Sequence, residues 1–228
     1  MEINLCELYP GFDGEVNAFG QGTPTIFIRF QGCNLRCSWC DTKFAQDKNI
    51  VTNVPLEEII TQIINTKNIN KVTITGGEPI LQKKELKLLI EQLFYLGYKI
   101  SVETNGSLAW AVVDGKPLYW VHCWLIDYKL PSSIYNHLML KPEYFAHHTG
   151  QNDFIKFVIG SQDDFIKAIE IQKEMQFLGC MARFAYSTTE HIDNRVLADW
   201  MLNKPEILDK AVLNCQIHKF IWAQERKR

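Results

Sequence analysis

Residues 25–42 read TIFIRFQGCNLRCSWCDT, and the fold turns on this stretch. Its first six residues alternate and are rich in β-formers, which predicts a strand that stops at Gly32. A loop follows that carries Cys33, Cys37 and Cys40 at Cys-x3-Cys-x2-Cys spacing. Thiolates this close together are soft donors suited to an iron–sulfur cluster, copper(I) or zinc. A structural zinc ion takes four protein ligands; no fourth Cys or His lies near the loop, although His122 or Cys123 could approach in three dimensions. A cubane held by three thiolates leaves one iron open to a substrate or cofactor.

Further along, Leu56, Ile59, Ile60, Ile63 and Ile64 repeat at helical spacing behind Pro55, and KVTIT at 71–75 predicts a buried strand ending at Gly76 and Gly77. The unit recurs. Leu86, Leu89, Ile90, Leu93 and Phe94 form a second helical stripe closed by Gly97, and residues 98–103 make a strand that stops at Asn105 and Gly106. Residues 107–126 break the rhythm: Asp114 and Gly115 lie between apolar, aromatic segments, which predicts a hairpin or an inserted excursion before LIDYK. Strands at 154–159 and 180–186 and helices at 162–177 and 190–203 complete the pattern. Strands alternating with helices predict an α/β fold with a parallel sheet, either doubly wound or a full or partial β/α barrel. In each form the active site collects at the C-terminal strand ends, so the loops at 31–42, 76–79 and 103–106 are expected on one face.

The 228 residues, 46% of them hydrophobic, suffice for one globular core, and residues 1–228 are expected to form a single domain. A formal net charge of −2 gives no field that attracts nucleic acid or an anionic membrane, and the basic stretch at 226–228 is too short to change that. No apolar run reaches the roughly 20 residues of a membrane span, and the N-terminus MEINLCELYP has no basic region followed by an apolar segment. A cytoplasmic protein is expected. Of seven cysteines, Cys6, Cys123, Cys180 and Cys215 are scattered, which is not the pattern of a secreted disulfide framework. These four are expected to be buried small hydrophobes.

Joined to TITGGEP at 73–79, the cysteine motif resembles the radical S-adenosylmethionine superfamily. The resemblance implies a partial (β/α) barrel with a parallel sheet and an inserted hairpin region. It also implies a 4Fe-4S cluster on Cys33, Cys37 and Cys40, and S-adenosylmethionine chelating the open iron to yield a 5'-deoxyadenosyl radical. Gly76, Gly77 and Glu78 then occupy the glycine-rich loop that meets the methionine end of the cofactor, since glycine lets backbone approach a ligand closely. Alone, GGEP would read as a strand-to-helix turn with Pro79 at the helix start.

Residues 22–42, ETNGS at 103–107, YKLPSS at 128–133 and QIHKFIW at 216–222 narrow this to a resemblance with 7-carboxy-7-deazaguanine synthase, spread over essentially the whole chain. It implies conversion of 6-carboxy-5,6,7,8-tetrahydropterin to 7-carboxy-7-deazaguanine with loss of ammonia, toward queuosine and other deazapurines. It implies Mg2+ at the Thr42 hydroxyl beside the substrate carboxylate, and Glu15 at the pterin edge, where a carboxylate accepts two N–H bonds. Arg29, Gly77 and His218 would also face the substrate, Arg29 with a planar fork that suits a carboxylate. Glu103 and Asn105 would lie near the cofactor ribose. Without the resemblance, Thr42 would cap a turn, Arg29 would lie on a strand surface, and His218 would be a core histidine.

Two departures stand out. FDGEV at 12–16 replaces Ile-Gln-Gly-Glu-Gly of many family members, and Asp127-Tyr128-Lys129 replaces Ser-Pro-Lys, so a serine contact to the cofactor is either made by Asp127 or lost. The family further implies a homodimer and a one-electron donor such as flavodoxin or ferredoxin. The rival readings are a glycyl-radical activating enzyme, which acts on a protein partner, and a non-catalytic zinc or iron–sulfur module. Glu15, ETNG and QIHK argue against the activating enzyme, because a small heterocycle needs such converging polar groups. Changing Cys33, Cys37 or Cys40 to alanine is expected to abolish cluster binding and all radical activity, read as loss of about four irons per chain after anaerobic reconstitution.

Overall fold

The computed structural model describes residues 1–222, and the basic stretch at 226–228 lies outside them. No helix among the described residues is long and apolar enough to cross a membrane. The chain opens with β1 (Glu2–Phe12), β2 (Pro24–Phe30) and β3 (Asn53–Pro55). Then come α1 (Leu56–Asn65), β4 (Lys71–Gly76), α2 (Lys83–Tyr95) and β5 (Lys99–Thr104). A small hairpin, β6 (Val112–Val113) and β7 (Lys116–Pro117), precedes β8 (Cys123–Asp127) and α3 (Pro142–His148). The rest is β9 (Phe154–Ile159), α4 (Gln162–Phe177), β10 (Arg183–Thr188), α5 (Asn194–Leu202), β11 (Ala211–Leu213) and α6 (Ile217–Trp222).

Nine strands form one sheet in the order β11-β10-β9-β8-β5-β4-β2-β1-β3. From β2 to β11 every neighbouring pair is parallel, and β1 and β3 close one edge antiparallel. The order is monotonic in sequence, so each right-handed crossover steps the same way and lays its helix on the same face. One core cluster confirms this: it joins Leu56 and Ile63 of α1, Leu89 and Leu93 of α2, Phe145 of α3, Phe165 and Met175 of α4, and Leu197 of α5 to the sheet. The sheet is therefore singly wound and open, a partial barrel. The doubly wound alternative is excluded, because it would fan the strand order out in both directions and put helices on both faces.

The helix-free face is the barrel interior, and the strand alternation makes it polar. In β4, Val72 and Ile74 enter the helix-side core while Lys71, Thr73 and Thr75 point inward; in β5, Ile100 and Val102 point out and Ser101 and Glu103 in. Arg29, Thr75, Glu103 and Asp127 are the last inward residues of β2, β4, β5 and β8, so all four stand at the C-terminal rim. At the opposite end the interior is plugged. Lys71 Nζ bonds Asp13, and Thr73 Oγ1 bonds Asp13 Oδ1 at 2.8 Å and Thr25 Oγ1 at 2.9 Å. Val16, Cys123, Leu125, Phe154 and Ala185 pack beside this network as a second apolar cluster, against Phe19.

The gap between the two sheet edges is spanned by a clasp. Gln21 Nε2 donates to Gly14 O at 2.7 Å and to Cys215 O at 2.5 Å, Val16 N donates to Asn214 Oδ1 at 3.0 Å, and Ile217 N to Gly14 O at 3.1 Å. Gly14 lets the two segments approach closely, since a Cβ there would collide with the His218 ring as it is placed.

The short elements β3, α3, β11 and α6 lie outside the sequence reading, and three further differences have a local cause. The strand expected at 180–186 runs Arg183–Thr188, because Gly179, at φ +84°, ends α4 in a turn that carries the chain to its register with β9. The helix expected at 190–203 begins at Asn194, where the Asp193 side chain caps it by accepting from Arg195 N at 2.8 Å. β1 was not foreseen, because Pro10 and Gly11 punctuate it. They are tolerated where β3 no longer pairs, so that Pro10 lacks nothing on that side. The Asp114-Gly115 hairpin is present, with both residues at positive φ as a two-residue turn requires. Cys123 and Cys180 are buried as expected; Cys6 and Cys215 are only half-buried. Ile74→Ala, at a fully buried position of the central β4, is expected to cost about 2–5 kcal/mol of stability, read from the urea midpoint.

Candidate active site at the barrel mouth

The cysteine loop is fixed by its backbone. Gly32 N donates to Ala45 O at 2.8 Å, Cys33 N to Gln46 O at 3.0 Å, and Gln31 Nε2 to Asp47 O at 2.8 Å. The glycine-rich loop docks on it: Gly77 N reaches Phe30 O at 3.0 Å and Glu78 N reaches Gly32 O at 2.8 Å. A Cβ on Gly77 would collide with Gly32 O and lie 2.6 Å from Ala45 O, so only glycine permits this approach. Pro79 does open a short 3-10 helix (Pro79–Gln82), and Glu78 caps it, accepting from Ile80 N at 2.9 Å. The turn reading and the ligand-loop reading of GGEP thus coexist.

Glu78 is fully buried and also accepts from Thr104 Oγ1 at 2.8 Å and from Asn105 N at 2.7 Å. Burial pushes its carboxyl up, against these hydrogen bonds and the more distant Lys129. Its side chain is engaged on all sides by the protein, so it ties the GGEP loop to ETNG, and the part of this loop that can meet a ligand is backbone. Asn105 in turn leans on the cysteine loop, donating to Asn34 Oδ1 at 2.9 Å and lying 3.8 Å from Cys33 Sγ. Such N–H contacts to thiolate sulfur are a means of tuning an iron–sulfur cluster. The Thr42 hydroxyl makes no capping bond to the turn that follows and lies 3.5 Å from Cys40 Sγ.

Among the described residues no three His, Cys, Asp or Glu side chains converge on a point that one metal ion could occupy. A mononuclear zinc centre needs such convergence, whereas a cubane takes each thiolate on a different iron. Three thiols on one rigid loop with no fourth donor fit the cubane with an open iron. A second observation also fits a ligand at this rim. Asp127 Oδ1 is buried with no hydrogen-bond partner, while Oδ2 pairs with Lys129 Nζ at 2.8 Å and Lys156 Nζ at 3.6 Å. A buried carboxylate oxygen left open is costly unless a donor reaches it.

Deeper in the interior, Glu15 bonds Lys156 Nζ at 3.2 Å and the amides of Asn214 and Gln216. Burial acts to raise its pKa, but Lys156 and the two amides prevail and hold it at about 2, so it is a carboxylate at neutral pH. Glu103 goes the other way: burial and the nearby Glu15 push it up to about 7, against Lys156 and the hydroxyl of Thr75 at 2.8 Å. It can therefore donate or accept at neutral pH. Arg29 is inward and largely covered, with Nε on Glu7 Oε1 at 2.9 Å and Nη2 3.4 Å from Tyr9 Oη. It is not the surface strand residue of the alternative reading. His218 sits on α6 against Gly14, and burial lowers its pKa, favouring neutral imidazole.

The structure thus gathers Cys33, Cys37, Cys40, Thr42, Gly76, Gly77, Glu78, Asn105 and Asp127 at the rim, with the inward-pointing Arg29 and Glu103 at the same strand ends and Glu15 and His218 on the interior side. The sequence reading missed Lys156, Lys129 and Asn214. For Lys156 a signal existed, a lone cation inside the apolar strand FIKFVI, where a buried charge demands a partner. A hollow of about 550 Å3 lined by Tyr144, His147 and His148 of α3 involves none of these residues.

The model of the radical SAM superfamily matches residues 27–115. A 7-carboxy-7-deazaguanine synthase of Clostridium acetobutylicum is 31% identical over 100% of this chain and 99% of its own length. One from Koribacter versatilis is also 31% identical, over 99% of each chain. Among solved structures, QueE from Escherichia coli superposes with a TM-score of 0.63 at 22% identity, over 89% of this chain and 90% of that one, and so shares the fold. SuiB from Streptococcus suis, solved with S-adenosylmethionine, gives a TM-score of 0.53 at 18% identity, over 81% of this chain and 44% of that one.

Gly77→Ala is expected to unseat the GGEP loop from the cysteine loop. The measured outcome is lowered thermal stability together with impaired cluster retention, while the exposed Gly97→Ala, with open space for a Cβ but φ +81°, shows only the stability loss.

Proposed function

The chain belongs to the 7-carboxy-7-deazaguanine synthase family, and on that premise we propose that it contracts 6-carboxy-5,6,7,8-tetrahydropterin to 7-carboxy-7-deazaguanine with release of ammonia, as a radical S-adenosylmethionine lyase. One observation carries the assignment beyond the family name. The three-thiolate loop lies at the same end of the sheet as a set of buried, converging polar groups, Glu15, Asp127 and Lys156, of the kind that suits a small heterocycle. That arrangement disfavours the activating-enzyme reading, and membership of an enzyme family removes the non-catalytic module.

In this reading Cys33, Cys37 and Cys40 hold the 4Fe-4S cluster. When bound, the cluster and S-adenosylmethionine supply one-electron chemistry that produces a carbon radical able to take hydrogen from the substrate. The backbone of Gly76 and Gly77, positioned by Glu78, meets the cofactor, and Asp127 offers its open oxygen to a cofactor N–H or O–H donor. Glu103 and Asn105 complete the cofactor side. Thr42 would offer a hard oxygen ligand to Mg2+, an ion that would neutralise the negative charge of the substrate carboxylate. Glu15, as an acceptor-only carboxylate, takes the ring N–H donors, with Arg29, Gly77 and His218 around the remaining polar edges. We take residues 1–228 as one domain because a single nine-stranded sheet draws its strands from residues 2 to 213. The homodimer and the flavodoxin- or ferredoxin-type donor rest on the family resemblance. A reducing, cytoplasmic setting accords with cysteines that are not arranged as a disulfide framework.

Anaerobic reconstitution with iron and sulfide, then incubation with S-adenosylmethionine, reductant, Mg2+ and the carboxypterin, is expected to yield a deazaguanine chromophore without a protein partner. Cofactor cleavage without that product would overturn the substrate assignment. Glu15→Gln is expected to retain the cluster and reductive cofactor cleavage but to lose pterin affinity, read as a raised KM.

A further inference from the structure

Lys156 lies in the middle of β9 and points into the interior, between two carboxylates on different elements. Its ammonium is 3.2 Å from Glu15 Oε1 and 3.6 Å from Asp127 Oδ2, and its side chain is 12% exposed. Stability does not explain a lysine here. Replacing a buried ion pair with apolar groups is commonly neutral or stabilising, and the preceding inward residue of the same strand, Phe154, shows that this face accepts apolar side chains. Asp127 has a second cation in Lys129, at 2.8 Å. Glu15 has none among the ion pairs of the described residues; its other two partners, Asn214 and Gln216, are neutral amides. Its charge is therefore balanced through Lys156.

We propose that Lys156 is a positioning residue for substrate recognition: its ammonium keeps Glu15 ionised and fixed, so that the carboxylate presents acceptors alone to the ring N–H donors of the pterin. The inference rests on the assignment of Glu15 to the pterin edge. An ionised carboxylate accepts at both oxygens; a protonated one carries a donor, which would face the donors of the substrate. The charged and titratable groups around this point are Asp13 of the same loop, which pairs with Lys71 of β4, Asp127 at the end of β8, which pairs with Lys129, Glu103 of β5, Asp41 of the cysteine loop, and His218 and Lys219 of α6. Removing Lys156 takes from Glu15 the cation it pairs with and leaves its burial opposed by neutral amides, which raises its pKa. Substrate affinity would then fall as pH drops through the new pKa and recover as pH rises.

The test uses reconstituted enzyme carrying Lys156→Met, Lys156→Gln or Lys156→Arg, with the carboxypterin titrated into the unreduced protein. At neutral pH the Met and Gln variants are expected to bind the pterin about 30-fold more weakly or worse, as when one partner of a buried charge pair is truncated. The loss deepens toward acid, while Arg, which keeps the charge, retains most of the affinity. In turnover the change falls on KM, and cofactor cleavage without substrate persists. A Met or Gln variant that binds as tightly as wild type, loses affinity equally at every pH, or loses kcat at unchanged KM overturns the proposal. The Arg variant with full cluster content shows that the site still folds. A substrate-free readout separates this inference from the functional assignment. Carbon-13 NMR of glutamate carboxyls, with Glu15 identified by Glu15→Gln, is expected to show no Glu15 titration near neutrality in wild type and a titration in Lys156→Gln. A wild-type enzyme that ignores the pterin overturns the functional assignment; a Glu15 signal that titrates alike in wild type and Lys156→Gln overturns the role of Lys156.

Discussion

The buried carboxylate of Glu78 is the constraint on which the mouth depends. Three donors from two different loops, Ile80 N, Thr104 Oγ1 and Asn105 N, converge on it, and its own backbone N–H bonds Gly32 at the start of the cysteine loop. Three parallel strands, β2, β4 and β5, would otherwise end in loops with independent freedom. Because Glu78 is fully buried, each of its bonds is made in a low-dielectric setting where leaving a donor unpaired is expensive. The three loops therefore move as one body, and a cluster and its cofactor meet a surface whose geometry is set in advance.

The interior chemistry follows from winding the sheet in one direction. With α1 to α5 on one face, the other face has an apolar covering only toward its plugged end, and inward positions toward the mouth can be polar without burying charges in a helix interface. The charges that do sit there are paired: Arg29 with Glu7, Lys71 with Asp13, Lys156 with Glu15 and Asp127. The pairing drives neighbouring carboxyls apart. Glu15 stays ionised while Glu103 is poised near neutrality, so two acids within one cavity offer different hydrogen-bonding characters.

Much of the architecture was legible in the sequence where local signals agreed. β9 and α4 fall at 154–159 and 162–177 as expected, because Ser161 caps the helix and the strand is apolar on its outward face. The cysteine loop, GGEP and ETNG were found because their unusual residues are contiguous. The direction of winding was not legible, since βα units of either topology have the same local pattern. Lys71 and Lys156 were passed over because a period-two reading treats a lysine in an apolar strand as noise. Asn214 was invisible for a different reason: its meaning lies in Glu15, 199 residues earlier.

That separation bears on how the enzyme is made. The hydrogen bonds that fix the cluster loop, from Phe30 to Asn105, join residues of the first half of the sequence, and Tyr135 adds a later packing contact. The clasp between residues 13–22 and 214–218 needs both ends. Since contacts between distant segments carry the larger loop-closure cost, they form last. The order of assembly is thus written into the topology: the loops between Phe30 and Asn105 can settle while the barrel interior is still open on one side, and residues 214–218 close it.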